Sequence, residues 1–229
     1  MATYVLIPGA GSDPWYWHLV APRLAALGHD VVNPDLPIGD AGVTFSDYAD
    51  AVVDAIGDRT DLVVVAQSLG GFTGPLVCDR RAVDLLVLVA AMVPRPGESA
   101  GEWWGNTGWA AAARAQAERD GRDPDDQRVE TLFFHEVPAD VTAEAMRRGS
   151  REEPASVFAA PWPLATWPLV ATRFLLCRDD RFFPADFQRR VARERLGIVP
   201  DEMPGGHLPA LAHPEELVGR LETYRRELQ

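Results

Sequence analysis

Between Asp61 and Gly71 the chain reads D-L-V-V-V-A-Q-S-L-G-G. Leu62, Val63, Val64 and Val65 form an uncharged run of the kind required of a strand covered on both faces. Ala66-Gln67-Ser68-Leu69-Gly70-Gly71 then sets small residues two before and two after a serine, and Phe72–Asp79 reads as a helix. A strand that turns into a helix within so few residues strains the backbone at the corner and leaves no room for bulk beside it, so this stretch specifies a buried strand, a sharp turn at Ser68 and a helix.

The same rhythm runs through the rest of the chain. Thr3–Ile7 is a strand, followed by a turn over Pro8-Gly9-Ala10-Gly11-Ser12-Asp13-Pro14 and by a helix over Trp15–Leu27 that Gly28 stops. Asp30–Pro34 is the second strand, and Phe45–Ile56 is a helix capped by Ser46 or Thr44. After the central unit come a strand over Asp84–Val93, a strand over Thr172–Cys177, a helix over Ala185–Leu196, a strand over Ile198–Met203 and a closing helix over Pro214–Glu227. Short apolar strands alternating with amphipathic helices imply a parallel sheet with helices on both faces, right-handed crossovers, and functional groups at the carboxyl ends of the strands.

From Pro94 to about Pro168 the alternation stops. This segment holds Trp103, Trp104, Trp109, Trp162 and Trp167, five of the seven tryptophans, with helical patches at Trp109–Arg119 and Ala139–Arg148. Linkers are poor in tryptophan, so a helical lid over the carboxyl edge of the sheet is expected, inserted at 94–168 between core segments 1–93 and 169–229 of a single domain. Trp103, Trp104, Trp109 and Trp162 are its candidate pocket residues.

Composition removes several classes. A net charge of −12 argues against nucleic acid or an anionic membrane as partner, and the absence of lysine excludes a Schiff base. No signal-peptide pattern or membrane-length apolar run occurs, so a cytoplasmic protein, monomeric or homodimeric, is the expectation. Cys78 and Cys177 stand far apart without a ligand pattern, so neither a disulfide nor a metal is expected.

Three reactive residue types fall at strand ends in the order Ser68, Asp180, His207. A serine attacks an acyl carbon only when a base takes its proton, and a histidine serves as base when a carboxylate fixes its tautomer. Gly205-Gly206 can project the His207 ring back toward Ser68. Asp179 competes with Asp180 as the acid. His18, His29, His135 and His213 compete with His207; His18 and His29 read as surface or capping residues and His213 as a helix cap. A developing oxyanion needs two donors, for which the backbone N–H groups of Ala10 and Leu69 are the candidates.

Taken together, these motifs resemble the α/β-hydrolase superfamily over essentially the whole chain. Those that carry the resemblance are Pro8-Gly9-Ala10-Gly11 with Trp15-Tyr16-Trp17, Leu27-Gly28-His29, Asp35-Leu36-Pro37, Ser68-Leu69-Gly70-Gly71, Asp180 with Phe183-Pro184, and Gly206-His207 with His213-Pro214-Glu215. The pattern is closest to the compact branch of plant methylesterases and hydroxynitrile lyases. It implies a three-layer fold with a six-stranded, mainly parallel sheet, and a cofactor-free serine hydrolase acting on a small, partly hydrophobic ester, thioester or lactone. Two departures matter. Pro8-Gly9 stands where relatives have His-Gly, and Gly9 and Leu208, both candidate pocket residues, replace the threonine and lysine that the lyases share.

Other readings use the same residues. Carbon–carbon cleavage or a lyase reaction can run on the same three groups. Gly9-x-Gly11 followed by Asp35 imitates a dinucleotide fingerprint, but Pro14-Trp15 would block the close approach its third glycine allows. A non-catalytic binder of small ligands is the remaining alternative.

Overall fold

A computed structural model describes residues 1–228. Six strands form one sheet: β1 (Thr3–Ile7), β2 (Asp30–Val32), β3 (Leu62–Gln67), β4 (Leu85–Val89), β5 (Thr172–Cys177) and β6 (Asp201–Met203). Their order is β2-β1-β3-β4-β5-β6, and every pairing is parallel. The chain winds one way from β1 to β2 and the other way from β3 onward, so the carboxyl ends of β1 and β3 flank a switch point, where open sheets of this kind form their crevices. Register fixes the detail: Ile7 pairs with Ala66, which brings Pro8 and Gly9 beside Gln67 and Ser68.

Both faces of the strands are apolar, as a doubly covered sheet requires. Val5, Ile7, Val64, Ala66, Leu86 and Leu88 join the core under α2 (Phe45–Ile56), α3 (Gly70–Arg80) and α9 (Ala185–Leu196). Tyr4, Leu6, Val63, Val65, Leu85 and Val87 join the core under α1 (Ala21–Ala26) and α11 (Pro214–Arg226). Between β4 and β5 lie α4 (Ala100–Thr107), α5 (Trp109–Arg119), α6 (Val129–Leu132), α7 (Ala139–Arg148) and α8 (Ala155–Ala159), and α10 (Pro209–Ala212) precedes α11. No helix among the described residues is long and apolar enough to cross a membrane.

Several boundaries differ from the sequence expectation. The helix expected over Trp15–Leu27 is broken into a 3-10 turn at Pro14–Trp17 and α1. Pro22 cannot donate to the His18 carbonyl, so the helix restarts with proline in its first turn, where a missing N–H costs nothing. The second strand stops at Val32, before Pro34, and the last begins only at Asp201. Thr44, rather than Ser46, caps α2, its N–H donating to the Asp47 carboxylate at 2.7 Å.

Candidate active site

Ser68 sits at the corner between β3 and α3 with φ +51°, a left-handed conformation that a side-chain-bearing residue adopts at a cost of about 1–3 kcal/mol. Surrounding structure holds it there. Its N–H donates to Val89 O at 3.2 Å, and its carbonyl accepts from Met92 N–H at 2.9 Å. The small neighbours are obligatory, because a Cβ on Gly71 would fall 1.9 Å from Met92 O and one on Gly70 would fall 2.8 Å from Pro8 O.

His207 follows β6. Its Nε2 lies 2.9 Å from Ser68 Oγ and its Nδ1 lies 2.7 Å from Asp180 Oδ2. The neutral tautomer that suits both contacts has Nδ1–H donating to the carboxylate and Nε2 accepting from the hydroxyl. All three groups are buried, Ser68 being 8% exposed. Asp180 is fixed through its other oxygen, since Oδ1 accepts from the N–H groups of Phe182 and Phe183, both at 2.8 Å. Asp179 faces another partner, accepting from Gly205 N–H at 3.0 Å. Phe133, Phe182 and Phe183 stand edge-on to the imidazole at 5.3, 5.1 and 4.9 Å, an apolar wall that screens it from water.

The N–H groups of Ala10 and Leu69 donate to no protein acceptor among the described residues, and both belong to loops at the switch point. They can therefore receive a substrate oxygen. Gly9 is pressed against the serine: a Cβ there would lie 2.9 Å from Ser68 Cβ and 2.4 Å from Gln67 Oε1. A cavity of about 490 Å³ opens at Ala10, lined also by Trp15, Phe133, Met146, Leu208 and Leu211 among others.

The tryptophans of the insertion do not line that cavity, contrary to the sequence expectation. Trp103 and Trp162 are buried in the core, their indole N–H groups donating to Val93 O and Phe72 O, each at 3.0 Å. Trp104 and Trp109 form a second layer behind Phe182, and Trp109 donates to the Phe182 carbonyl at 2.7 Å. A buried indole needs an acceptor for its N–H, and here the backbone carbonyls of Val93, Phe72 and Phe182 supply one. The insertion's aromatic beside the imidazole is Phe133, a residue without helical or strand periodicity to mark it.

The other histidines have structural partners. His29 is buried, its Nδ1 accepting from Ala2 N–H at 3.1 Å and its Nε2 facing Glu222 at 3.0 Å. The His213 side chain makes no cap hydrogen bond and instead packs where a Cβ of Gly205 would be. His135 packs against Gly206, its Nε2 3.1 Å from Asp179 O, and burial pushes its pKa down from the ordinary imidazole value. Gln67, which carries no role in the sequence reading, donates from Nε2 to the His207 carbonyl at 2.9 Å. Its position one residue before the serine was the signal available.

Residues 4–220 match the model of the alpha/beta hydrolase family. Among curated relatives, Methylesterase 9 of Arabidopsis thaliana is 24% identical over 252 residues, covering 96% of this chain and 97% of its own. Polyneuridine aldehyde esterase of Rauvolfia serpentina is 21% identical over 93% of this chain and 92% of its own. A crystal structure of polyneuridine aldehyde esterase superposes with a TM-score of 0.78 at 19% identity, covering 98% of this chain and 99% of that one. A pyrethroid hydrolase from Sphingobium faniae JZ-2 superposes at 0.76 with 21% identity, covering 98% and 97%.

Proposed function

The chain belongs to the alpha/beta hydrolase family, and from that premise we propose that it is a serine hydrolase that cleaves a small, partly hydrophobic ester, thioester or lactone through an acyl-enzyme. The observation that carries the reading is the unbroken line of short contacts from Ser68 Oγ through His207 to Asp180, 2.9 and 2.7 Å. Esterase and hydrolase names among the relatives support the same bond type.

In this mechanism Ser68 Oγ attacks the acyl carbon while its proton passes to His207 Nε2. The negative charge that develops on the former carbonyl oxygen is received by the N–H groups of Ala10 and Leu69. Collapse breaks the acyl–oxygen or acyl–sulfur bond, and the leaving group takes the proton from Nε2. Water then gives a proton to Nε2, attacks the acyl carbon and releases the acid, and Ser68 recovers its proton. Asp180 keeps Nδ1–H directed away from the serine and stabilises the imidazolium formed at each step. The helices between β4 and β5 act as a lid, and the mainly apolar cavity beside Phe133 and Leu208 takes the substrate.

A fluorophosphonate probe tests the reading directly. Wild-type protein is expected to label covalently and Ser68→Ala not at all. An unlabelled wild type would show that the serine is not activated and would overturn the proposal.

A further inference from the structure

Pro8 carries neither an N–H nor a polar side chain, so no donor and no side chain at that position can tether the loop that presents the Ala10 N–H. It is tethered at Gly11, and from the insertion. Gly11 N–H donates to Glu153 Oε1 at 2.9 Å, while Gly11 O accepts from Arg151 N–H at 2.9 Å and from Ser150 Oγ at 3.3 Å. The second oxygen of Glu153 accepts from Tyr48 Oη at 2.6 Å, and Tyr48 lies on α2 of the core. Burial first, and then the Glu153 contact, push the Tyr48 hydroxyl far above its ordinary pKa, so it remains a donor.

The strap is anchored beyond this point. Arg151 donates to Asp35 Oδ1 at 2.5 Å and to the carbonyls of Leu36 and Ile38 at 2.7 and 3.1 Å, on the loop that follows β2. Gly11 has φ +67°, and a Cβ there would fall 2.1 Å from Ser150 Oγ, so loop and strap are in direct contact.

We propose that Glu153 is a positioning residue for the oxyanion loop, holding it through Gly11 with Tyr48 as its own anchor. Both peptide planes at Gly11 are fixed by residues 150–153, and the Ala10 N–H belongs to the peptide immediately before them. Within the loop that peptide is held only by a long bond, Ser12 N–H donating to Gly9 O at 3.4 Å, so its direction also depends on the strap being docked. Glu153 touches neither serine nor histidine; it acts through Gly11 on a group that matters only when an oxyanion forms. The proposal rests on the serine-hydrolase reading above.

The test is the split between kcat and KM on a short p-nitrophenyl ester, together with the affinity of phenylboronic acid, whose tetrahedral adduct on Ser68 places an oxygen where the oxyanion would be. Glu153→Ala is expected to lower kcat ~10- to 100-fold with KM within about threefold, and to weaken the boronate by the same factor, since a small misplacement of a reacting group costs that much. Glu153→Gln keeps an oxygen for Gly11 N–H and is expected to recover wild-type kcat within about threefold. Tyr48→Phe, which removes one hydroxyl from the anchor, should fall between them. Wild-type kcat and boronate affinity in Glu153→Ala, or equal loss in the alanine and glutamine variants, would overturn the proposal. Should Glu153→Ala fail to fold, undiminished kcat in Tyr48→Phe would overturn it. An inactive wild type that also resists the fluorophosphonate would overturn the underlying reading and this proposal with it, whereas an active wild type abolished by Ser68→Ala isolates any failure to the clamp.

Discussion

Gln67 and His207 stand 140 residues apart in the chain and are joined by a buried hydrogen bond, Gln67 Nε2 donating to the His207 carbonyl at 2.9 Å. The residue before the serine thereby holds the backbone of the residue that faces the serine. The contact ties the carboxyl end of β3 to the histidine loop, and both residues are 1% exposed.

Replacing Gln67 with leucine keeps its bulk and leaves the His207 carbonyl without its donor. A buried acceptor left unpaired costs about 1–3 kcal/mol, so the urea midpoint should fall, and the loosened imidazole should lower kcat about 10-fold. Urea unfolding and ester hydrolysis on the same preparation check both. Wild-type kcat in a destabilised variant would show that Gln67 supports the fold alone.

Asp180→Asn retains an oxygen for the Phe182 and Phe183 N–H groups but can turn an N–H₂ toward His207 Nδ1. That favours the tautomer with its proton on Nε2, which cannot accept from Ser68, and a loss of roughly 10⁴ in kcat is expected. Asp179→Asn touches only the Gly205 N–H and should stay within about 10-fold of wild type. Comparable losses in the two variants would contradict the assignment of Asp180 as the orienting acid.

Gly9→Ala inserts a methyl 2.4 Å from Gln67 Oε1 and 2.9 Å from Ser68 Cβ, so the serine or the loop must move. A fall of about 100-fold in kcat is expected from a displacement near 1 Å. Gly105, inside α4, has open space around its Cβ position and no left-handed φ. Gly105→Ala should leave kcat unchanged and add about 0.5–1 kcal/mol of stability. Steady-state kinetics beside thermal melts separate the two glycines.

Acid stability depends on Glu222, which takes the Tyr4 hydroxyl at 2.6 Å and lies 3.0 Å from His29 Nε2. Burial alone would raise its pKa, but Arg225, Tyr4 and His29 together hold the carboxyl down at about 2, below the ordinary 4.5. Because the folded value is the lower one, the stabilisation is complete above pH 4.5 and disappears as pH falls toward 2. Urea midpoints between pH 2 and 7 should fall along this limb in the wild type and along a flatter one in Glu222→Gln. Parallel profiles would assign the acid sensitivity to other carboxylates.

The strand, the serine corner and the obligatory small residues around it were legible in the sequence because their causes are local. An uncharged run of β-branched residues, a serine at φ +51° and the small residues on either side of it stand within a few positions of one another, although the Pro8 and Met92 carbonyls that exclude a Cβ from Gly70 and Gly71 come from other strand ends. A parallel sheet covered on both faces followed from the alternation of elements, its strand order came only with the structure, and breaks such as the one at Pro22 trace to the missing N–H of single residues. The partners that complete the site were decided only by the tertiary structure. Gln67 meets His207, Glu153 meets Gly11 and Tyr48, and Phe133 rather than any tryptophan faces the imidazole. These contacts join segments far apart in the chain, and nothing in the spacing of residues says which buried carbonyl an indole will find or which loop a carboxylate will tether. Packing against a formed sheet makes those choices.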